Sequence, residues 1–498
     1  MLNSILQITA PRHGKTVRAT SSRRTQATQS AQLIHATKSL SAPPSHSTRL
    51  ADEVRRRTNF NPALPPSLRT ANKSHMKPFF ISLLSDATLF PFFIFATISL
   101  AHATTQPTSE PLIQPSNLVY TGAFRLPEGP TNQTTFEYSG DGLAYNPANN
   151  SLFITGHMWY QETAEISIPK IIDSTDINSL TTATILQPLT DALEGRRTSV
   201  NPTDPNGQNI GGYLVYNGKL IISVYSYYDG SGTQSASHFV RPLSLSTTGQ
   251  VTGPFRVGTQ YPGFVSGYMS QIPADWQPLL GGPALTGNCC LNIISEQSSG
   301  PSVSVFDPSQ LTNGTTVTAT PLVGYPFSNP LSAWGTQNDL FNGSTQITGV
   351  VFPAGTRSVL FFGRQGTGPF CYGIGAPTSP PPSGECYDPA NSSKGDHAYP
   401  YVYQVWAYDA DDLLKVKQGI EPEYDVKPYA VWTLNLPFSN NTGQQLLSGA
   451  AYDPSTNQIF ITQDCVDTSC GPVIDVLQIT GLSANSSTPS APSNVQVQ

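Results

Sequence analysis

Two distant stretches of this chain read as one unit written twice. Gly142-Leu-Ala-Tyr-Asn-Pro-Ala-Asn-Asn-Ser-Leu-Phe-Ile-Thr155 and Gly449-Ala-Ala-Tyr-Asp-Pro-Ser-Thr-Asn-Gln-Ile-Phe-Ile-Thr462 match at eight of fourteen positions. Each is a strand of small residues, a Tyr-Asn/Asp-Pro turn and a β-rich strand, so each predicts a hairpin. Looser copies run over Gly211–Val224 and Thr348–Phe362, and a degenerate one over Gly282–Ser295. Their starts are spaced by roughly 70 residues, except that a Gly/Pro/Ser-rich insertion between Gly366 and Tyr399 lengthens the last interval. Self-similarity at a fixed period marks a repeat architecture.

Each hairpin precedes a further β-rich segment that ends in a turn, expected as an outer strand: Ile166–Asp173, Phe239–Leu245, Val303–Asp307, Tyr403–Asp409 and Ile474–Ile479. The early strand Leu118–Leu126 is placed to complete the last unit and close a ring. On these residues the chain resembles the β-propeller superfamily at the level of fold. The resemblance implies an all-β domain of five blades, six or seven being compatible with the same pattern, with the small-residue strands at the axis. A β-sandwich or β-helix competes, but the period is long for one turn of a solenoid. No WD, kelch or PQQ-type signature is present, so no family's catalytic residues carry over and function must be argued from the site.

From Met76 the chain runs into an apolar stretch ending at Leu100, followed by the small-x-small pattern Ala101-His-Ala103. This reads as a secretory signal over residues 76–103. The apolar run is shorter than the roughly 20 residues a bilayer span needs, and no later segment approaches that length. Residues 1–75 are Arg-rich, Ser/Thr-rich and poor in acids. They read as an extension ahead of a translation start at Met76, mis-assigned or disordered, rather than as a transit peptide or nucleic-acid-binding arm. Residues 104–116 then read as a linker, 117–480 as the propeller and 481–498 as a disordered tail.

Residues 1–103 hold 13 of the 26 basic side chains and 3 of the 32 acidic ones, so the remainder carries a net charge near −16. That balance argues against nucleic acid, anionic lipid and strongly polyanionic polymers as partners, and suits neutral or cationic ligands or calcium. A monomer without cofactor is expected, calcium being the one ion the acidic side chains suit. All six cysteines lie after the signal, where an oxidising compartment favours disulfides. The loop-local pairs Cys371–Cys386 and Cys465–Cys470 are the simplest, leaving adjacent Cys289 and Cys290 as a vicinal disulfide or as thiols. No Cys-x-x-Cys or His-x-x-x-His pair suggests zinc.

In a propeller, the residues just after the second strand of each hairpin surround one opening. Repeat register puts His157, Tyr225, Glu296, Arg364 and Asp464 there as catalytic candidates. Glycosidic hydrolysis needs two carboxyl groups, one held protonated, and Glu296 with Asp464 or Asp229 could supply them, with Asp141 just before the first core strand as another candidate. β-Elimination of a uronate would instead use His157 or His238 with Tyr225 or Tyr228, and Arg241 or Arg364 to neutralise the carboxylate. The polar-aromatic loop Tyr225–His238, with Trp159-Tyr160 and Tyr399–Tyr403, offers platforms for sugar rings. Substrate binding is therefore expected of Trp159, Tyr228, Asp229, His238, Arg241 and His397. Sequons at Asn132, Asn313, Asn342, Asn391 and Asn440 would accept glycans in a eukaryotic host.

These readings point to an extracellular carbohydrate-active propeller, hydrolase or lyase. The rivals are a propeller that binds a glycan or protein without catalysis, and a calcium-dependent lactonase-like hydrolase built on Asp141, Asp229 and Asp464.

Overall fold

The computed structural model describes residues 106–482 except 132–133, 205, 291–295 and 313–315. The expected signal over 76–103, the extension before it and the tail after 482 lie outside the described residues.

The first strand is β1 (Leu118–Arg125), and the described residues form five four-stranded antiparallel sheets, the last of which includes it. Blade 1 is β2 (Leu143–Asn146), β3 (Ser151–Thr155), β4 (Thr163–Ser167) and β5 (Ile185–Thr190). Blade 2 is β6 (Gln208–Tyr216), β7 (Lys219–Ser226), β8 (His238–Pro242) and β9 (Thr252–Phe255). Blade 3 is β10 (Met269–Gln271), β11 (Ala284–Thr286), β12 (Val303–Phe306) and β13 (Ala319–Val323). Blade 4 begins with β14 (Gln346–Val351) and β15 (Ser358–Gly366). An inserted three-stranded sheet of β16 (Cys371–Ala376), β17 (Glu385–Tyr387) and β18 (Lys394–His397) interrupts it, before β19 (Tyr401–Asp409) and β20 (Ala430–Thr433) complete it. Blade 5 is β21 (Leu447–Asp453), β22 (Gln458–Gln463) and β23 (Val473–Ile479), and its fourth strand is β1, paired to β23.

The inner strands touch in the order β2, β6, β10, β14, β21 and back to β2, so the sheets form a closed ring: a β-propeller. Small residues make this approach possible. A Cβ on Gly449 would stand 2.9 Å from the Cβ of Leu143 in the next blade.

The two matched repeats are the first hairpins of blades 1 and 5, and the matched residues build the turn. Asn146 and Asp453 accept the backbone N–H two residues on, at 3.2 and 2.8 Å. Asn150 and Asn457 take the left-handed conformation (φ 48° and 57°), and Tyr145 and Tyr452 donate their hydroxyls to those two asparagines.

The core is a set of apolar layers between neighbouring sheets. Phe153, Tyr213, Ile222 and Phe239 fill one, Trp276, Phe352, Phe361 and Trp406 another, and Phe124, Ile154, Phe460 and Val476 a third. Middle strands bury both faces, which is why β3 and β15 read as continuous runs rather than alternating ones.

Three expectations are corrected. The segments read as outer strands overlap the third strands of their sheets, in blade 1 only at Ile166 and Ser167; the outermost are β5, β9, β13, β20 and β1. In blade 3 the inner strand is Met269–Gln271 and its partner Ala284–Thr286, so the hairpin expected over Gly282–Ser295 is out of register. Residues 106–116, expected as a linker, are docked: Leu112 and Ile113 are buried, Ile113 N donates to Ser358 Oγ at 2.8 Å, and Tyr429 Oη donates to Ile113 O at 2.7 Å.

Candidate functional site

Asp141 lies one residue before the tight turn at Gly142 that starts β2, and Asp464 follows the end of β22. Because β2 and β21 are neighbours at the axis, these two carboxyls from blades 1 and 5 lie at the same, N-terminal end of the inner strands, within reach of each other's charge. Backbone geometry holds them there. Gly142 N donates to Ser448 O at 2.7 Å, and Asp464 N to Leu446 O at 3.1 Å. Asn440 Nδ2 donates to the carbonyl of Asp464 at 2.7 Å.

Their surroundings differ. Asp464 Oδ1 accepts from Ser139 N at 3.1 Å and from Ser139 Oγ at 3.2 Å. Burial raises its pKa to about 6, held back by these donors and the Cys465 N–H. Asp141 keeps some solvent contact, but its carboxyl sits among Tyr225, Cys289 and Cys290. It accepts from Tyr225 Oη at 3.1 Å, and its oxygen and the two cysteine sulfurs lie within 4.8 Å of one another. Burial pushes its pKa up to about 7; the Tyr225 hydroxyl opposes this and the charge of Asp464 adds to it.

Above this pair stands an aromatic rim. His157 lies beside Tyr138, Trp159 and Tyr160, with ring centroids 5.2–5.6 Å apart. Ser139, the donor to Asp464, bridges to His157 through the backbone, and His157 Nδ1 accepts from Trp159 N at 3.1 Å. Burial lowers the His157 pKa, with Glu137 opposing. Trp159 is 77% exposed and Tyr160 57%, although large aromatic rings are normally covered. Tyr227 and Tyr228 are likewise exposed on the loop after β7.

The structure therefore brings together Asp464, Tyr225 and Asp141, with His157, Trp159 and Tyr228 exposed or half-exposed on the loops around them. Glu296 does not follow a second strand, since that strand ends at Thr286; it lies against the loop at Gly232, where a Cβ would be 3.6 Å from its Oε1. The position it was expected to fill belongs to Cys289 and Cys290. Arg364 is buried, stacks on the Tyr401 ring at 4.3 Å and donates to Gln444 O at 3.1 Å.

The expected substrate-binding roles of Asp229, His238, Arg241 and His397 do not fit their burial. Asp229 ties its own loop, accepting from Thr233 N and Gln234 N at 2.8 Å each. His238 is fully buried between Ser237 and Thr286 hydroxyls, and burial takes its pKa down to about 3. Arg241 donates to the carbonyls of Ala192, Ser244, Leu245 and Thr247. His397 Nδ1 is 2.7 Å from Asp388 Oδ2, to which the Tyr401 hydroxyl also donates at 2.6 Å. The bond to Asp388 raises the His397 pKa against burial, and donors to Asp388 lower its pKa against burial.

Sequons at Asn342 and Asn440 are buried and bonded, while those at Asn132 and Asn313 lie outside the described residues. All three disulfides are formed: Cys371–Cys386, Cys465–Cys470 and the vicinal Cys289–Cys290.

A cavity of about 340 Å³ also lies on the axis, lined by the C-terminal halves of the inner strands, including Tyr145, Tyr213, Met269, Phe352 and Tyr452. No carboxyl or imidazole lines it.

No family model and no curated protein matches the chain. Among solved structures it is similar to an exo-1,5-alpha-L-arabinanase from a bovine ruminal metagenomic library, at 10% identity over 70% of this chain and 95% of that one, TM-score 0.34. It is similar to a GH43 endo-arabinanase from Bacillus licheniformis, at 12% identity over 70% and 95%, TM-score 0.34. It is also similar to an alpha-L-arabinanase variant from Cellvibrio cellulosa, at 11% identity over 69% and 92%, TM-score 0.36. At these identities and scores the likenesses transfer no residue and no activity to this chain.

Proposed function

We propose that the protein is a glycoside hydrolase acting outside the cytosol on a neutral glycan. One observation carries the reading: two carboxyls from neighbouring blades lie at one end of the propeller axis, and burial pushes their pKa values up to about 7 at Asp141 and about 6 at Asp464. Between those values the first is protonated while the second is ionised. Hydrolysis of a glycosidic bond uses that division of labour. Asp141 gives its proton to the leaving oxygen as the C–O bond breaks. Asp464 serves the anomeric carbon, as the base that takes a proton from the incoming water or as the nucleophile.

The aromatic rim of Tyr138, Trp159, Tyr160, Tyr227 and Tyr228 supports a sugar ligand, whose C–H faces pack on such rings. The acidic balance favours a neutral polymer. Elimination of a uronate is less well supported, because His238 and Arg241 are consumed inside the fold. Three disulfides favour an oxidising compartment.

The test is a panel of neutral and acidic polysaccharides, read by new reducing ends and by absorbance near 235 nm, with and without EDTA. Reducing ends without absorbance are expected, unaffected by EDTA, with Asp141→Asn and Asp464→Asn each lowering kcat by at least about 100-fold. Full activity in either variant would sink the assignment. Binding of a glycan without cleavage would make the protein a lectin-like propeller.

A further inference from the structure

The loop after β11 brings two adjacent cysteines to the head of the ring. Gly267, ahead of β10, makes room: a Cβ there would lie 2.1 Å from Asn288 O and 2.4 Å from the Cys289 nitrogen. Two hydrogen bonds fix the pair from either side. Gln297 Nε2 donates to Cys289 O at 3.1 Å, and Ile347 N, on the next blade's inner strand, donates to Cys290 O at 2.9 Å. Both cysteines are buried, Cys289 completely and Cys290 with 9% of its surface left open, and both pack on Tyr225 beside the Asp141 carboxyl.

A disulfide that closes a stretch of chain stabilises by restricting the unfolded state, and the effect grows with the number of residues enclosed. Cys371–Cys386 spans a separation of 15 residues and Cys465–Cys470 of 5, whereas Cys289 and Cys290 are neighbours. Their bond restricts almost nothing, so its contribution is local. It replaces two thiols, each a weak donor and a latent thiolate, by one fixed, apolar, polarisable surface beside an acid.

We propose that the Cys289–Cys290 disulfide is the floor on which a sugar's C–H face rests next to Asp141, and that a dithiol reductant removes this floor reversibly. The proposal rests on the glycan-hydrolase reading above. Reduction breaks the S–S bond with two electrons and two protons from the dithiol, which closes to its own disulfide, and leaves two thiols. Freed of the bond, the two side chains no longer present one surface.

The experiment uses the full chain and hexasaccharides of glucose, mannose, xylose, galactose and arabinose. Calorimetric binding and hydrolysis are measured before and after dithiothreitol, for the wild type, for Cys289→Ala/Cys290→Ala and for Cys371→Ser/Cys386→Ser. Reduction is expected to weaken binding and raise KM about threefold, as for the loss of roughly 25 Å² of apolar contact. Reoxidation restores both. The Cys371→Ser/Cys386→Ser chain should respond as the wild type does, while the double alanine chain starts weakened and ignores the reductant.

Wild-type affinity in the double alanine chain, or continued loss of its affinity on reduction, overturns the proposal. Should that variant not fold, by circular dichroism, reversible reduction of the wild type and of a chain carrying Cys371→Ser/Cys386→Ser and Cys465→Ser/Cys470→Ser decides alone, and unchanged binding overturns the floor. Redox-dependent binding without cleavage keeps the floor and removes the hydrolase reading. Cleavage with redox-insensitive binding does the reverse, and a chain that binds no hexasaccharide loses both.

Discussion

Asp141 and Asp464 share one end of the axis, yet different groups donate to them, and that difference sets a pH window. Activity should peak between about pH 6 and pH 7, where the proton sits on Asp141 and not on Asp464. Two conservative variants should move opposite limbs of the kcat/KM profile. In Tyr225→Phe the hydroxyl that stabilises the Asp141 carboxylate is gone, so the Asp141 pKa rises further and the alkaline limb moves to higher pH. In Ser139→Ala the side-chain donor to Asp464 is gone, its pKa rises, and the acid limb moves up, narrowing the window. A profile in which both variants move the same limb would contradict the assigned roles. At this scale the sequence was half legible. Tyr225 and Asp464 followed from repeat register, and Asp141 from its place before a core strand. Glu296 did not, because the register of blade 3 is carried by Gly267-Tyr-Met-Ser-Gln271, which has no Tyr-Asn/Asp-Pro turn to announce it. The burial of His238 and Arg241 depends on what packs over them, which no local pattern encodes.

Among the elements, the hairpins with explicit turn chemistry were the legible ones: Asn146-Pro and Asp453-Pro in the matched repeats, and Asn217-Gly218, both at positive φ, between β6 and β7. Strand order within a sheet was not, since third and fourth strands have similar composition and differ only in which edge is left open. One strand also carries a residue that no strand pattern predicts. Asp475, in the middle of β23, is fully buried, with the Tyr120 hydroxyl of β1 as the group that faces it. Burial raises its pKa well above the ordinary carboxylate range. The folded state therefore holds a proton that the unfolded chain releases above about pH 4, and stability contributed by this site falls as pH rises from there toward the folded pKa. Asp475→Asn keeps the shape and removes the titration. It should raise the unfolding midpoint at pH 7.5, by roughly 1–3 kcal/mol of stability, and have little effect at pH 3.5. Thermal unfolding at the two pH values reads this directly; equal effects at both would mean that Asp475 is not held protonated.

The ring as a whole is closed by hydrogen bonds between the two ends of the described residues, because blade 5 takes β21, β22 and β23 from one end and β1 from the other. That closure was legible: Leu118–Leu126 reads as a strand with no hairpin partner of its own, and a ring is what gives it one. The segment before it was not, since its Pro, Ser and Thr residues look like a linker and its anchoring depends on a few long-range contacts. Besides Leu112 and Ile113, Glu110 Oε2 accepts from the indole of Trp276 in blade 3 at 3.0 Å, and Thr108 O accepts from Arg357 in blade 4 at 3.2 Å. The two pieces should therefore fail differently. A chain beginning at Leu118 keeps β1 and the ring but loses these braces, so it should unfold cooperatively at a lower temperature with its activity intact. A chain beginning at Glu128 lacks β1, exposes the backbone edge of β23 and strips the layer that Phe124 fills between blades 5 and 1. That chain should lose cooperative unfolding and self-associate, as seen by size-exclusion chromatography and circular dichroism. Asp141 and Asp464 sit on the two blades that β1 helps to join, so the site opens when the ring does. Activity surviving in the shorter chain would mean that blades 5 and 1 hold together through β2 and β21 alone.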